Sequence, residues 1–252
     1  MTDLTTHLRG RSRALLLFSG GLDSSLLLAA AAPVLGMGLT ALTFAGPQTV
    51  PGELAAAVAL ARRLKVRHLL RAMDPLALPD FRHNTRQRCY VCKKSIIEQA
   101  REMAADLGIE EIWDGTNLDD LNDFRPGLQA ARELGVKSPL LEAGMGKAAI
   151  RDLSRKLGLP GDRPPQSCLA TRFPYDTRLT REALARVGEA ESWLRSRGFS
   201  HVRLRISGDQ ARLELPPGEW PAFLAPEVRR PFTALAARLG WRLELDVSGE
   251  GG

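Results

Sequence analysis

The seven residues SGGLDSS, 19–25, stand between an apolar run and a run that favours helix. RALLLF, 13–18, predicts a short buried strand, and LLLAAAA after the turn predicts a helix as far as Pro33. The paired glycines let the backbone turn tightly and bring its N–H groups close to an anion. The N-terminus of the following helix points at the same place. This strand, turn and helix predict a pyrophosphate-binding site, with an ordinary glycine-serine turn as the alternative.

The alternation of strand and helix continues along the chain. Strands are predicted at 38–44, 66–70 and 110–116, and helices at 53–64 and 94–108. Alternating strands and helices predict an α/β fold with a parallel sheet covered on both faces. Ligands of such sheets bind beyond the carboxyl ends of the strands. SGGLDSS and DGTNLDD both follow strands, so both are expected on that rim.

The pattern changes near Pro174. A helix is predicted at 180–198 with Thr180 as its N-cap, strands at 201–208 and 211–217 around a Gly208-Asp209 turn, a helix at 227–240 and a strand at 241–247. This order predicts a smaller C-terminal α+β domain, so the chain divides into domains 1–174 and 175–252. The tail SGEGG is predicted to be disordered.

Composition and charge limit the location and the partners of the protein only broadly. The chain has 252 residues, a net charge of +6 and a pI of about 9.6. No apolar run approaches the ~18 residues of a membrane span. The start, MTDLTTHLRGRSR, lacks the apolar segment of a secretory signal, so we expect a cytoplasmic protein with no membrane partner. The positive charge suits nucleic acid, nucleotides or phosphorylated small molecules, but surplus arginine explains it equally well.

Three cysteines are too few for a disulfide framework in a chain of this size. Cys89 and Cys92 form a C-x-x-C pair in RQRCYVCKK, and Cys168 lies in the proline-broken stretch RPPQSCLATRFPYDT. Neighbouring cations, among them Arg88 and Arg172, are expected to lower the pKa of these thiols and favour thiolates. Three thiols do not close a four-ligand metal site. Incidental cysteines, a redox pair and a buried apolar Cys168 remain alternatives.

The turn after the first strand closely resembles the PP-loop of the ATP pyrophosphatase superfamily, whose sheet domain is of the adenine nucleotide alpha hydrolase-like type. That resemblance implies cleavage of ATP between its α and β phosphates and transfer of AMP to an acceptor oxygen. It also implies that Asp23 lies near Mg²⁺. The residues implied to bind the pyrophosphate end of ATP are Ser19, Gly20, Gly21, Asp23, Ser24 and Ser25.

A narrower resemblance covers nearly the whole chain to about residue 217. The blocks SGGLDSS, RCYVCK, DGTNLDDLNDFRPGLQAARELGVKSPLLEAG, KAAIRDLSRKLGLP, SCLATRFPYDT and VRLRISGDQARLELPP occur in this order. Together they resemble the LarE family, ATP-dependent sulfurtransferases that help to build the nickel-pincer nucleotide of lactate racemase. The resemblance implies that ATP adenylates a carboxylate of pyridinium-3,5-dicarboxylate mononucleotide and that sulfur then replaces AMP. It also implies a homo-oligomer, a hexamer in the family.

Two sulfur sources occur in that family. Some members sacrifice a cysteine at the position of Cys168, which becomes dehydroalanine. Others carry three cysteines that hold a [4Fe-4S] cluster, and the pattern of Cys89, Cys92 and Cys168 resembles this second type. The fourth iron of such a cluster stays open to carry a sulfide. The resemblance therefore implies ATP, Mg²⁺ and a [4Fe-4S] cluster as cofactors, and a separate sulfide donor as a partner.

Other positions carry implied roles. Arg203 and Arg205 alternate on one strand and so face the same side, where they suit the phosphate of a mononucleotide. A solvated basic sheet face is the alternative. Glu191 matches an acidic position near the reactive sulfur, although Glu189 lies on the same helix, and Arg172 suits an adenylate or a thiolate. The rim turn carries Asp114, Thr116, Asn117, Asp119 and Asp120, where Asn117 is expected to contact the nucleotide and Asp119 and Asp120 to hold Mg²⁺. A plain Asx turn is the competing interpretation.

Functions of other classes remain open. A tRNA thiolase also combines a PP-loop, a C-x-x-C pair and a third cysteine, but the chain has no aromatic-rich basic platform for RNA, so nucleic acid is not favoured. An amide-forming ligase would need no cysteines. A nucleotide-sensing iron-sulfur or zinc protein would bind ATP without releasing pyrophosphate.

Overall fold

The computed structural model describes residues 2–122, 125–159 and 167–246. Its strands are β1 (Ala14–Leu17), β2 (Leu39–Ala45), β3 (Arg67–Ala72), β4 (Ile112–Trp113), β5 (Arg203–Ser207), β6 (Gln210–Glu214) and β7 (Arg242–Asp246). Its α-helices are α1 (Thr2–Leu8), α2 (Leu22–Leu35), α3 (Glu53–Arg63), α4 (Pro79–Arg82), α5 (Arg88–Asp106), α6 (Pro126–Glu133), α7 (Pro139–Glu142), α8 (Lys147–Lys156), α9 (Arg181–Arg195), α10 (Trp220–Leu224) and α11 (Pro226–Arg238).

The first sheet has the order β3-β2-β1-β4, and all of its strands run parallel. The chain moves outward from β1 to β3 and then crosses back to place β4 on the other side of β1. Between β1 and β4 the direction of winding reverses, and ligands of doubly wound sheets bind in the crevice at such a point. The α/β fold class predicted from the alternating pattern is confirmed.

The short strand β1 is buried on both faces. Leu15 and Leu17 belong to an apolar cluster with Ile97 and Ala100 of α5. Ala14 and Leu16 belong to the opposite cluster, which includes residues of α1, α2 and α8. Because successive side chains of a strand point to opposite faces, this four-residue strand joins both layers of helices to the sheet.

Two helix boundaries differ from the sequence prediction. Helix α5 begins at Arg88, not at Lys94, so both cysteines of the C-x-x-C pair are helical. No proline or glycine separates Arg88 from Lys94, and the Arg88 amide already bonds to the Thr85 carbonyl oxygen. Helix α2 continues past Pro33 to Leu35, because a proline in the last turn removes only one N–H from the ladder and its fixed φ is helical.

The second sheet has the order β5-β6-β7 and lies in the C-terminal part of the chain. Strands β5 and β6 pair antiparallel through the predicted turn, where Gly208 has a φ of +59°, and β7 pairs parallel to β6. Thr180 caps α9 as predicted, since its hydroxyl accepts a hydrogen bond from the Ala183 amide at 3.1 Å. The predicted helix–hairpin–helix–strand order is present.

The apolar core of the second sheet draws on residues before Pro174. Val50, Phe81 and Leu169 belong to the same cluster as Leu184 and Phe223. The division into domains 1–174 and 175–252 therefore stays a prediction. The tail 248–252 lies outside the described residues. Within the described part of the chain, no helix combines the length and apolar character needed to cross a membrane.

Candidate active site

The SGGLDSS turn lies directly between β1 and α2. Gly20 has a φ of +79°, and a Cβ there would lie 3.0 Å from the Cβ of Ala57, so only glycine fits without strain. The Ser19 and Ser24 hydroxyls are 3.1 Å apart, and the Gly21 amide donates to the Ser19 hydroxyl at 3.3 Å. The Ser24 hydroxyl also donates to the Gly21 carbonyl at 3.2 Å. The turn is a compact set of donors at a helix N-terminus, as anion binding requires.

The turn after β4 packs against this loop. A Cβ on Gly115 would lie 2.8 Å from the Ser24 amide nitrogen, so the two turns approach closer than any side chain allows. The Asn117 side-chain amide donates to Asp23 at 3.2 Å. We call residues 19–25 and 114–120 together the PP-loop rim. The expectation that both turns meet at one edge of the sheet is confirmed by these contacts.

The Asp23 carboxyl of the PP-loop rim is harder to ionise than an exposed one. Burial raises the pKa of Asp23, and the Asp120 carboxylate raises it further, while the Asn117 hydrogen bond and the Lys147 and Arg125 charges oppose the rise. A carboxyl in this setting favours a nearby cation. Lys147 carries no signal in the linear sequence, because it lies far along the chain from the loop.

Asp119 and Asp120 already have partners within the protein. Asp119 accepts from the Lys147 amide at 2.5 Å, and Asp120 pairs with Arg125 at 2.8 Å. The Asn117 side-chain oxygen accepts from the amides of both aspartates at 3.0 and 3.3 Å, which is the Asx turn named above as the competing interpretation. No group of three His, Cys, Asp or Glu side chains in the described ranges is arranged to hold a metal ion. Their role as Mg²⁺ ligands stays a prediction.

The three cysteines share one neighbourhood. Cys89 and Cys92 are three residues apart on α5, so they lie on the same face of the helix. Cys168 directly precedes the short 3-10 helix Leu169–Arg172, and with Cys92 it packs against the core of the second sheet. Cys89 is exposed, and the other two thiols are half-buried.

The prediction of lowered thiol pKa values is wrong for two of these cysteines. Burial raises the pKa of Cys92 to about 12, with further contributions from Cys168 and Cys89. Burial also raises the pKa of Cys168 to about 11, although Arg88 and Arg172 act in the opposite direction. For both thiols, desolvation is the largest effect, and it outweighs the lowering by Lys93 at Cys92 and by Arg88 and Arg172 at Cys168.

Arg172 and Glu191 form a fully buried ion pair. The Arg172 Nε lies 2.7 Å from a Glu191 carboxylate oxygen, and both side chains are 0% exposed. Glu191 also accepts from the Leu204 amide of β5 at 3.1 Å, while Arg172 donates to the Ser167 hydroxyl at 2.7 Å. Glu189 is exposed and pairs with Arg238 instead. Of Glu189 and Glu191, Glu191 is therefore the one that packs beside the Cys168 segment.

A cavity of about 590 Å³ opens beside this ion pair. The Arg205 Nε pairs with Glu214 at 2.9 Å, and its Nη1 donates to the Thr171 carbonyl at 3.0 Å. We call this the arginine-lined cavity, and its lining residues are Arg88, Thr171, Arg172, Phe173, Pro174, Tyr175, Arg205, Ile206, Ser207, Gln210, Arg212, Glu214 and Glu244.

Arg203 lies on the same side of β5 as Arg205, but it does not line the cavity. Burial lowers the pKa of Arg203, and the positive charges of Arg172 and Arg205 lower it further. Glu214 and Glu191 act in the opposite direction, so the positive charge around Arg203 is partly balanced.

An ion pair links the cysteine helix to the PP-loop rim. Lys93, next to Cys92 on α5, lies 2.9 Å from Asp114 at the end of β4. Asp114 also accepts from the Thr116 amide at 3.1 Å and from the Ser138 hydroxyl at 2.9 Å. The two parts of the site are thus joined by side chains as well as by the sheet.

Comparisons with known proteins agree with this architecture. The asparagine synthase family model matches residues 4–89, which include the PP-loop. The chain is 36% identical over 250 residues to the pyridinium-3,5-bisthiocarboxylic acid mononucleotide synthase of Lactiplantibacillus plantarum, covering 98% of this chain and 90% of that protein. It is 43% identical over 213 residues to an uncharacterized protein of Synechocystis sp., covering 84% of this chain and 80% of that one. An uncharacterized protein of Methanocaldococcus jannaschii matches at 33% over 132 residues, 52% of each chain.

The parallel sheet, the loop at its switch point and these similarities define an ATP-dependent sulfurtransferase of the PP-loop class. Within that class, identity over nearly the full length of both proteins means that the chain belongs to the LarE family, with a role in nickel-pincer cofactor synthesis.

Proposed function

We propose that this protein inserts sulfur into a carboxylate of pyridinium-3,5-dicarboxylate mononucleotide and produces the thiocarboxylate precursor of the nickel-pincer nucleotide. The observation that carries the proposal is the position of the cysteine helix α5, which contributes Arg88 to the arginine-lined cavity and pairs through Lys93 with Asp114 of the PP-loop rim. The similar protein of L. plantarum is named for the bisthiocarboxylic acid mononucleotide, which supports this substrate class.

The reaction begins with activation of the carboxylate. A carboxylate oxygen of the substrate attacks the α-phosphorus of ATP, pyrophosphate leaves, and an acyl adenylate forms. The donors of the PP-loop, with Ser19, Gly21 and Ser24, bind the departing pyrophosphate at the N-terminus of α2. Asp23, whose pKa is raised by burial, favours Mg²⁺ beside the phosphates, and Asn117 orients its carboxylate.

Sulfur then replaces AMP. A sulfur nucleophile attacks the carbonyl carbon of the adenylate, and AMP departs with the bonding electrons of the acyl–oxygen bond. We assign the substrate phosphate to Arg203 and Arg205, which lie on the same side of β5 near Arg172. The Arg172–Glu191 pair holds the Cys168 segment against β5, because Glu191 bonds to both Arg172 and the Leu204 amide.

For the sulfur source we propose a [4Fe-4S] cluster held by Cys89, Cys92 and Cys168. The kind of donor supports this proposal, since thiolates are the usual ligands of such clusters and both Cys168 and Cys89 act on the Cys92 thiol. Among the described residues, however, the three thiols do not form a preformed metal site. When bound, such a cluster supplies one iron that is not occupied by cysteine and can carry a sulfide. The competing proposal is sacrifice of the Cys168 sulfur, which needs neither Cys89 nor Cys92.

The mass of the Cys168 peptide separates the two sulfur sources. Protein reconstituted with iron and sulfide under anaerobic conditions is expected to make more than one product per chain, with the peptide mass unchanged. A loss of about 34 Da, which corresponds to a cysteine that ends as dehydroalanine, would establish the sacrificial reaction instead.

Product analysis tests the whole proposal. With ATP, Mg²⁺ and the mononucleotide, we expect AMP and pyrophosphate, and Asp23→Asn should slow their release because a charge near Mg²⁺ is lost. ADP and inorganic phosphate would reject adenylation. Sulfur transfer to bulk tRNA but not to the mononucleotide would identify a tRNA thiolase.

The hexamer stays a prediction that sedimentation can check.

A further inference from the structure

Arg88 is a buried arginine with no carboxylate partner among the described residues. Its side chain is only 8% exposed, and it lines the arginine-lined cavity. Its Nη1 donates to the Asn84 side-chain oxygen at 3.1 Å, but its buried Nε has no hydrogen-bond partner in the part of the chain that the structure describes. A buried donor without an acceptor is rare in folded proteins and calls for an explanation.

The other arginines of the cavity differ in this respect. Arg172 pairs with Glu191, and Arg205 pairs with Glu214. Arg212 lies within 3.9 Å of Glu214 and 3.8 Å of Asp246. Among the described residues, Arg88 is thus the one guanidinium of the cavity wall whose charge no carboxylate balances.

The position of Arg88 makes its charge more costly. It is the first residue of the 19-residue helix α5, where the helix dipole disfavours a cation and favours an anion. An anion bound there would meet both the guanidinium and the positive end of the helix. A buried guanidinium without a carboxylate at this position is therefore suited to binding an anion.

Tyr175 holds the guanidinium in a fixed orientation. The Arg88 Cζ lies 4.5 Å from the centroid of the Tyr175 ring, and Tyr175 is 49% exposed. Asn84 supports the same arrangement, because its side-chain amide donates to the Pro174 carbonyl at 2.7 Å. A planar guanidinium fixed in this way suits bidentate recognition of a carboxylate. The neighbouring Phe173 and Ile206 give the cavity apolar surface for an aromatic ring.

We propose that Arg88 binds the second carboxylate of the substrate ring, the one that is not being activated, and so selects a dicarboxylate over a monocarboxylate. The inference rests on the proposed function. The two carboxylates share one pyridinium ring, so a group that binds one must lie near the sulfur that attacks the other. Arg88 meets this condition, because it directly precedes Cys89 on α5 and lines the cavity together with Thr171 and Arg172, which follow Cys168 closely in the chain. The phosphate is already assigned to Arg203 and Arg205.

The test compares two ligands that differ by one carboxylate. Binding of pyridinium-3,5-dicarboxylate mononucleotide and of nicotinate mononucleotide is measured by calorimetry, without ATP or sulfide. Arg88→Gln is expected to raise the Kd of the dicarboxylate at least tenfold and that of the monocarboxylate less than twofold. Arg88→Lys keeps the charge but loses the bidentate geometry, so its dicarboxylate Kd should fall between those of the wild type and Arg88→Gln.

Arg86 provides the matched control. It is exposed, its Cζ lies 5.4 Å from the centroid of the same Tyr175 ring, and it does not line the cavity. Arg86→Gln should leave both Kd values unchanged. ATP affinity, measured in parallel, checks that each variant is folded. If Arg88→Gln does not fold, the selectivity ratio of Arg88→Lys carries the test.

The outcomes separate this inference from the proposed function. Equal losses for both ligands would show that Arg88 does not recognise the second carboxylate. Unchanged Kd values with lower iron content after reconstitution would show that it balances the cysteine thiolates instead. If the wild type binds the dicarboxylate more tightly in an Arg88-dependent way but releases no pyrophosphate, the proposed function fails while the inference stands. Binding of neither ligand by the wild type would overturn both.

Discussion

Two short stretches of sequence make up the PP-loop rim, whereas the arginine-lined cavity takes its wall from segments as distant as α5 and β7. The rim is built largely from backbone amides, hydroxyls and an Asx turn. The cavity is built from long charged side chains, among them the buried Arg172–Glu191 pair. The difference teaches that an anion site made of backbone is a local property, while one made of guanidinium groups depends on how distant elements pack.

Removal of a C-x-x-C cysteine should stop the chemistry beside the arginine-lined cavity and leave the PP-loop rim functional. Cys89→Ala or Cys92→Ala is expected to abolish sulfur transfer, because two thiolates cannot hold the proposed cluster. ATP binding should survive, since neither residue contacts the PP-loop. Product mass spectrometry and ATP calorimetry measure the two effects. Full sulfur transfer by both variants would instead favour the sacrificial reaction.

The buried Arg172–Glu191 ion pair should stabilise the wall of the arginine-lined cavity. Glu191→Ala leaves Arg172 buried without a counter-charge, which costs about 3–5 kcal/mol in such cases. The matched control is Glu189→Ala on the same helix, whose exposed pair with Arg238 should contribute about 1 kcal/mol or less. Urea unfolding gives both free energies. Similar values for the two variants would mean that the pair does not hold the wall.

Loss of either arginine proposed to bind the phosphate should raise the KM for the mononucleotide more than the KM for ATP. Arg203→Ala and Arg205→Ala are each expected to remove about 1.5–3 kcal/mol of binding to the mononucleotide phosphate. The KM for the mononucleotide should therefore rise roughly tenfold or more, and the KM for ATP much less. Arg242→Ala, an exposed arginine of the same sheet, serves as the control. Equal effects on both substrates would show that the phosphate binds elsewhere.

Gly115→Ala should disrupt the PP-loop rim and leave the arginine-lined cavity intact. The added Cβ would lie 2.8 Å from the Ser24 amide, so the two turns must separate. We expect a loss of about 1–3 kcal/mol in stability, typical of overpacking, and weaker ATP binding. Binding of the mononucleotide alone should change little. Gly144→Ala, at an exposed glycine with a φ of +65° and open space around it, controls for backbone effects alone.

The Lys93–Asp114 link between the two regions should depend on pH. Burial alone would raise the pKa of Asp114, but Lys93 and the hydrogen bonds to its carboxylate bring it below its ordinary value. A lowered carboxyl pKa stabilises the fold above the unfolded-state value of about 3.9 and loses this effect as pH falls through the folded-state value. Asp114→Asn should therefore cost about 1 kcal/mol at pH 7, and this cost should begin to shrink near pH 4 and disappear only below the folded-state pKa of Asp114.

Urea unfolding at several pH values measures this prediction. Asp152→Asn, at an exposed carboxylate that pairs with Arg155, should show almost no difference from the wild type at any pH. A difference for Asp114→Asn that persists in acid would show that the side-chain shape, and not its charge, links the two regions.

Sequence alone determined the α/β class, the loop at the end of β1 and the capped helix α9. These features are local: the apolar run, the glycine pair and the N-cap Thr180 act within a few residues of chain. Alternation along β5 likewise predicted that Arg203 and Arg205 share a face, which the burial pattern of the strand confirms. Their role in phosphate binding stays a prediction.

Tertiary structure decided the start of α5, the thiol pKa values and the choice between Glu189 and Glu191. Each depends on burial, and burial depends on which distant segments pack together. The cations beside Cys92 and Cys168 are visible in the sequence, but the desolvation that outweighs them is not. In the same way, nothing in RQRCYVCKK shows that Arg88 is enclosed beneath Tyr175 without a carboxylate, because that enclosure comes from a segment more than eighty residues further along the chain.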